Sequence, residues 1–211
     1  MRTIVGGGSN ANNYPNLTGY VPKIYDVAGG HTYTVPANCS KIYVLAFGAG
    51  GSGGYSSSQV GTGGGGGGFA AGFISVSGGQ NISINVGAGG APQTTNGQDG
   101  NAGGSTSVGN YMSATGGGGG KSAAFQNTDG GAGGAGSIDD TTNVASYVTA
   151  NGGRGGQWID DTSLGSYCLT GGGNSGSLLG DGGNGGDCMS GNGSGRMTSG
   201  GGGWGAGHAP T

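Results

Sequence analysis

The sequence predicts an all-β and irregular fold: a small β structure, with strands near 31–47 and 73–86, followed by packed polyglycine-II-type helices and loops. It predicts almost no α-helix. Three observations lead there. Glycine supplies 62 of 211 residues, roughly four times the usual ~7%. Only six of those glycines precede residue 48, so the chain changes character at that point. Charged residues are scarce, with 6 Lys and Arg against 9 acids, all nine being aspartate. The strong helix formers Glu, Lys and Arg are therefore absent or rare. With 5 prolines the chain lacks the imino-acid content of collagen.

In chain order, residues 1–30 read as an extended N-terminal arm, an attachment segment, with Asn10 to Pro15 as its most polar stretch. The rest, 31–211, reads as one glycine-rich domain, with a β part at about 31–90 and a polyglycine-helix part at about 91–211. Tyr33 and Val35 alternate with threonines, the period of a half-buried strand. Pro36-Ala37-Asn38 is a turn signal. Lys41–Phe47 carries Ile42, Val44 and Ala46 on one face and Tyr43, Leu45 and Phe47 on the other, which suits a strand covered on both sides. Phe73–Ser77, the Gly78-Gly79 turn and Asn81–Val86 read as a hairpin, with Ile82, Ile84 and Val86 in clean alternation.

Beyond this, glycine tracts fall at 63–68, 116–120, 130–136, 152–156, 171–173, 182–186 and 200–203. Several step by three, as in Gly130-Gly-Ala-Gly-Gly-Ala-Gly136 and Gly182-Gly-Asn-Gly-Gly-Asp187. Three residues per turn is the period of the left-handed extended helix. Such a helix bonds nothing internally, so its amides must find partners on neighbouring tracts. Glycine permits that close approach. A flexible linker would lack the aromatic residues that punctuate the tracts. Ile138-Asp-Asp-Thr-Thr with Ser146-Tyr147 recurs as Ile159-Asp-Asp-Thr-Ser with Ser166-Tyr167, which predicts one kind of inter-tract loop used twice.

Most motifs with chemical content fail on inspection. A net charge of −3 gives no basic footprint for nucleic acid. No apolar run approaches the ~20 residues that span a bilayer, so no membrane insertion is expected. Gly116–Gly120 before Lys121-Ser122 resembles a phosphate loop, but Thr115 stands where its first glycine belongs. Gly182–Ser190 matches a single calcium-binding nonapeptide, and such sites need tandem copies. The pairs Asp139-Asp140 and Asp160-Asp161 read as turn formers, so no metal or other cofactor is expected. The two histidines, His31 and His208, suggest no catalytic set, and no enzymatic activity is expected. Cys39, Cys168 and Cys188 are an odd number; Cys168 and Cys188 could pair, but the expectation is small buried thiols.

Thr34 to Gly51, with its Val-Pro-Ala turn, apolar strand and Gly-Ala-Gly-Gly exit, resembles the opening of the glycine-rich domain of bacteriophage tail-fibre and tail-tip proteins. Phe73 to Gly90, Asn96 to Ser107 and Ser113 to Gly120 extend the resemblance. The later tracts are similar to the distal receptor-binding adhesins of T-even-like phages. The resemblance implies a non-enzymatic virion protein, made in the host cytoplasm, that binds the host surface. Its implied partners are a bacterial surface glycan or outer-membrane protein and other virion proteins, with a homo-oligomer, a trimer by analogy. A structural fibre, spike or decoration subunit is the alternative. Between the tracts stand Tyr55, Tyr111, Phe125, Tyr147, Trp158 and Tyr167, the candidate receptor-binding residues. Aromatics give large contact area at low entropy cost.

Overall fold

The computed structural model describes residues 2–4, 20–56, 60–123, 128–160, 170–190 and 196–197. Among these residues there are strands and extended glycine tracts and no helix. The first strands are β1 (Arg2–Ile4), β2 (Lys23–Ile24), β3 (Gly29–Thr34), β4 (Lys41–Phe47), β5 (Val60–Gly61), β6 (Phe69–Ser75) and β7 (Asn81–Val86). The next are β8 (Thr106–Val108), β9 (Met112–Ala114), β10 (Ser122–Ala123), β11 (Gly136–Ile138) and β12 (Val144–Ala150). The last are β13 (Trp158–Asp160), β14 (Cys188–Ser190) and β15 (Arg196–Met197).

Two five-stranded sheets, β12-β6-β4-β1-β2 and β11-β9-β8-β7-β3, form a sandwich. Ile42, Val44, Ala46 and Ile74 of the first sheet share one core with Ile82, Ile84, Val108 and Met112 of the second. β4 is covered on both faces, as its sequence predicts. Tyr43 and Leu45 pack on the other side with Phe69, Ala71 and Ala150, and Leu178 lies against them. β7 buries Ile82, Ile84 and Val86 and exposes Asn81, Ser83 and Asn85, so its alternation also holds.

The pairing differs from the expected hairpin. β6 pairs with β4, from Lys41↔Ser75 to Phe47↔Phe69, while β7 pairs with β3 in the other sheet. Two of the chain's crossings between the sheets therefore lie at 35–41 and 75–81. The two crossings are bonded side by side: the Val35 amide donates to Gln80 O (2.8 Å), Gly79 N to Val35 O (2.9 Å) and Val76 N to Ser40 O (3.0 Å). Gly79 sits at φ +80°, and a Cβ on Gly78 would lie 2.0 Å from the Ala37 carbonyl oxygen. The glycine pair makes this corner possible. The physical reason for the exchange is that β4 is apolar on both faces and needs a central place, whereas β7 has one polar face for solvent.

The glycine tracts run from the sandwich to a far pole. They comprise 48–54, 62–68, 87–91, 100–104, 115–121, 130–135, 151–157, 170–176 and 182–187. Sandwich strands β8, β9, β11 and β12 fall within 91–211, and tracts 48–54 and 62–68 fall within 31–90. Strands and tracts are therefore interleaved along the chain.

Hydrogen bonds between tracts recur every third residue. The amides of Thr62, Gly65 and Gly68 donate to the carbonyls of Lys121, Gly118 and Thr115 at 2.8–2.9 Å. The carbonyls of the same three residues accept from Gly54, Gly51 and Gly48 at 2.9–3.1 Å. Gly63 and Gly66 accept from Gly131 and Gly134, and Gly64 and Gly67 from Gly173 and Gly176. Tract 62–68 is buried throughout. No side chain could fit there: a Cβ on Gly65 would fall 1.9 Å from Ala132 O, on Gly66 2.0 Å from Asn174 O, and on Gly67 2.0 Å from Gly48 O.

Gly65→Ala and Gly66→Ala are each expected to destabilise the fold by about 3 kcal/mol or more, because the obstacle is backbone on every side. Gly183→Ala, where an added Cβ meets nothing within 4 Å, is expected to be neutral or to stabilise by up to ~1 kcal/mol through the unfolded chain. Urea unfolding of the three variants checks the contrast; equal effects would sink the account.

Candidate functional site

The far pole is built from the ends of the tracts and two small ribbons. β5 and β10 pair between tracts 62–68 and 115–121. β13 and β14 run parallel, with β15 antiparallel beside β14. Thr62 anchors the first ribbon: its buried hydroxyl accepts the Lys121 amide (2.6 Å) and donates to the Asp129 carbonyl (3.2 Å). Thr170 caps the tract beside it, its hydroxyl accepting the Gly63 amide at 2.7 Å.

Tyr55 lies at this pole. Its amide donates to Gln98 O and its carbonyl accepts from Gly97 N, both at 3.0 Å, with Gly97 at φ +79°. The backbone is thus fixed while the side chain stays 41% exposed. Asp99 follows directly, accepting from Lys121 Nζ (2.8 Å) and the Ser122 amide (2.9 Å). The Lys121 hydrogen bond is the main reason its carboxyl sits below the usual range. Tyr55 and the Asp99–Lys121 pair are therefore exposed together beside the β5–β10 ribbon.

The other candidate residues are distributed differently. Trp158 is at the same pole but only 2% exposed, and its amide and carbonyl each bond Thr128 at 2.9 Å. Tyr111 belongs to the sandwich, 9% exposed in the β8–β9 turn, its hydroxyl accepting from Gln80 Nε2 at 2.7 Å. Tyr147 is 50% exposed but sits on edge strand β12, away from the far pole. There the register shifts between Ala145 and Val148, and Ser146 takes φ +48°. This bulge turns Tyr147 outward. Phe125 and Tyr167 lie outside the described residues. The two copies of the Ile-Asp-Asp repeat serve opposite ends: the first joins β11 to β12 at the sandwich, and the second begins in β13 at the far pole. In the first copy Asp140 closes its turn by accepting the Thr142 and Asn143 amides.

A family model described as a glycine-rich domain matches residues 26–211. The chain belongs to the glycine-rich domain family. No curated protein matches it at a significant level.

This glycine-rich domain carries one polar device that its composition hides. Asp181, Asn184 and Asp187 step by three from the residue before tract 182–187 to its end. Their side-chain oxygens accept the amides of Asn151 (2.6 Å), Arg154 (3.0 Å) and Gln157 (2.8 Å) on the neighbouring tract. Asp187 also holds the Arg154 guanidinium through two bonds, 2.7 and 2.9 Å. Asn184 and Asp187 of the calcium-type nonapeptide, with Asp181 just ahead of it, thus cross-link two tracts. The signal was the spacing of Asp181, Asn184 and Asp187 in a glycine run. No group of three or more potential metal ligands converges among the described residues. Cys188, buried beside Trp158 in the ribbon, is disulfide-bonded rather than the free buried thiol expected; Cys39 is free, and Cys168 lies outside the described residues.

The Arg154 hydrogen bonds hold the Asp187 carboxyl below its ordinary value, with a further contribution from the Gln157 amide. A carboxyl depressed in the folded state contributes stability that is complete above the unfolded value, near pH 4, and is lost as pH falls through the folded value. Stability is therefore expected to fall on acidification below about pH 4. Asp187→Asn is expected to be less stable at neutral pH and to show a shallower acid decline. Urea unfolding between neutral and acid pH measures both slopes, and parallel curves would refute the assignment.

Proposed function

We propose that this chain is a non-enzymatic bacteriophage virion protein, a tail-fibre or tail-tip component that binds the host cell surface through its far-pole loops. Each tract is, in this reading, a polyglycine-II-type helix. The three-residue recurrence of the inter-tract bonds supports it, since that is the turn length of such a helix. The observation that carries the functional reading is the gathering of tract ends at one pole. Described tracts end there at 54, 91, 121 and 157 and begin again at 62, 100, 130 and 170, on a scaffold fixed by backbone bonds. Loops held on a rigid frame are the usual place for recognition.

The partner is a bacterial surface glycan or outer-membrane protein, with other virion proteins and further copies of the chain at the opposite end. Tyr55 is the described aromatic best placed for contact. The exposed Asp99–Lys121 pair beside it offers polar groups for hydroxyls or amides.

Labelled protein is expected to bind a narrow set of bacterial strains saturably. Tyr55→Ala is expected to weaken that binding about tenfold, in the range of an interface hot spot, with unfolding unchanged. Tyr147→Ala, on the sandwich edge, is expected to leave binding intact. Loss with Tyr147→Ala alone would move the contact surface to the sandwich. No binding by a folded, assembled protein would replace this reading with a structural fibre, spike or decoration subunit.

A further inference from the structure

The end of the sandwich away from the tracts holds a cavity of about 570 Å³. Residues 20–23, leading into β2, form one wall, and Tyr33 of β3 with the crossing at 35–41 forms the other. β4 starts here at Lys41 and leaves the sandwich for tract 48–54 after Phe47, which sets the cavity at the end opposite the far pole. Tyr20 and Tyr33 both line it. Burial raises the titration of each phenol, and the Cys39 sulfur raises each further. The two side chains therefore stand about one thiol and keep their protons at neutral pH.

Lys23 and Lys41 line the cavity too, two of the chain's three lysines. The Lys23 ammonium lies 5.7 Å from the Tyr25 ring centre, and the Lys41 ammonium 5.7 Å from that of Phe73. Neither meets a carboxylate among the described residues, where the ion pairs are Lys121–Asp99 and Arg154–Asp187. No aspartate among the described residues lines the cavity. In a chain of net charge −3, this is a local excess of positive charge.

We propose that this cavity binds an acidic sugar, its pyranose ring stacked against the tyrosines and its carboxylate held by Lys23 and Lys41. Two ammoniums without a counter-ion attract an anion. The negative face of a tyrosine ring attracts slightly positive hydrogens, which the C–H face of a pyranose presents. Ser40 adds a hydroxyl to the lining for the sugar's own hydroxyls. The volume falls among sites for small ligands, roughly 300–1,000 Å³. An acidic peptide would match the charge, but extended peptides draw affinity from backbone hydrogen bonds. Here the Pro36 and Ser40 carbonyls already accept from Cys39 N and Val76 N, and the Lys41 carbonyl from Cys39 Sγ. The inference rests on this cavity and stands apart from the receptor role proposed for the far pole.

Cys39 supplies the reporter, since it lines the cavity and its thiol is free. Alkylation of Cys39 by iodoacetamide is followed by mass spectrometry on the intact chain while a sugar is titrated in. A tetrasaccharide of β-linked glucuronate is expected to slow the reaction saturably. It is expected to bind about tenfold more tightly than the glucose tetrasaccharide of the same linkage, which lacks only the carboxylates. Added salt is expected to shrink that advantage. Lys23→Met with Lys41→Met is expected to abolish it, and Tyr20→Ala to weaken both sugars together. Tyr55→Ala, at the far pole, is expected to change neither. Equal affinity for the two sugars in the unaltered chain would overturn the proposal. So would tighter binding of an aspartate-rich peptide of the same charge, or Cys39 alkylation that no sugar slows.

Discussion

Everything in this molecule depends on one constraint: glycine backbones bonded amide to carbonyl at a spacing that leaves no room for a Cβ. The sandwich core is conventional, with side chains of two sheets interlocking. Among the described residues the tract region has no comparable side-chain interior. Its centre is tract 62–68, buried throughout and bonded outward to five other tracts. Glycine is costly to order because its unfolded chain has the most freedom to lose. The offset comes from nearly complete backbone bonding inside a region from which water is excluded, where such bonds are strongest. A single methyl in that interior meets backbone on all sides, and backbone cannot rotate out of the way as a side chain can.

The same constraint sets where polar side chains appear. With three residues per repeat, one position in three on an outer tract points away from its neighbours. Those positions carry Asn151, Arg154 and Gln157 on one tract and Asp181, Asn184 and Asp187 on the next. Rather than standing free in solvent, the second set takes the outward amides of the first. The carboxylates therefore extend the backbone pairing to the edge of the lattice. Threonine does the same at tract ends, through Thr62, Thr115 and Thr170. The scarcity of charge follows, since most positions have no outward direction in which to place it.

The parts of this architecture that leave a side-chain signal were legible in the sequence. β4 and β7 show theirs in which faces are apolar, and both faces of β4 are covered. The three-residue step of the tracts was also legible. Pairing was not. β3 meets β7 and β4 meets β6 across long stretches of chain, and the apparent hairpin at Gly78-Gly79 is a crossing between sheets. Glycine tracts carry no facial pattern, so nothing in their sequence fixes which tract lies beside which. The candidate site was legible to the same extent. Aromatics between tracts mark where the chain turns, but not whether a ring faces inward. Tyr111 and Trp158 are buried, and Tyr55 and Tyr147 are exposed at different places. That division depends on tertiary neighbours such as Gln80 and Thr128, which are distant in the chain.

A backbone interior also separates the loops from the scaffold in a way that a side-chain core does not. In an ordinary domain, a loop residue that reaches inward changes the packing of the core beneath it, and the cost spreads through close-packed neighbours. Beneath the far pole the interior is a set of amide and carbonyl groups already bonded to one another. A loop side chain cannot repack them; it can only sit above them, as Tyr55 does, or close the lattice end, as Trp158 does. Stability then resides in the tracts, and surface chemistry resides in the turns between them. For a protein proposed to recognise a cell surface, this separation allows the contact residues to change while the frame that presents them keeps its bonds.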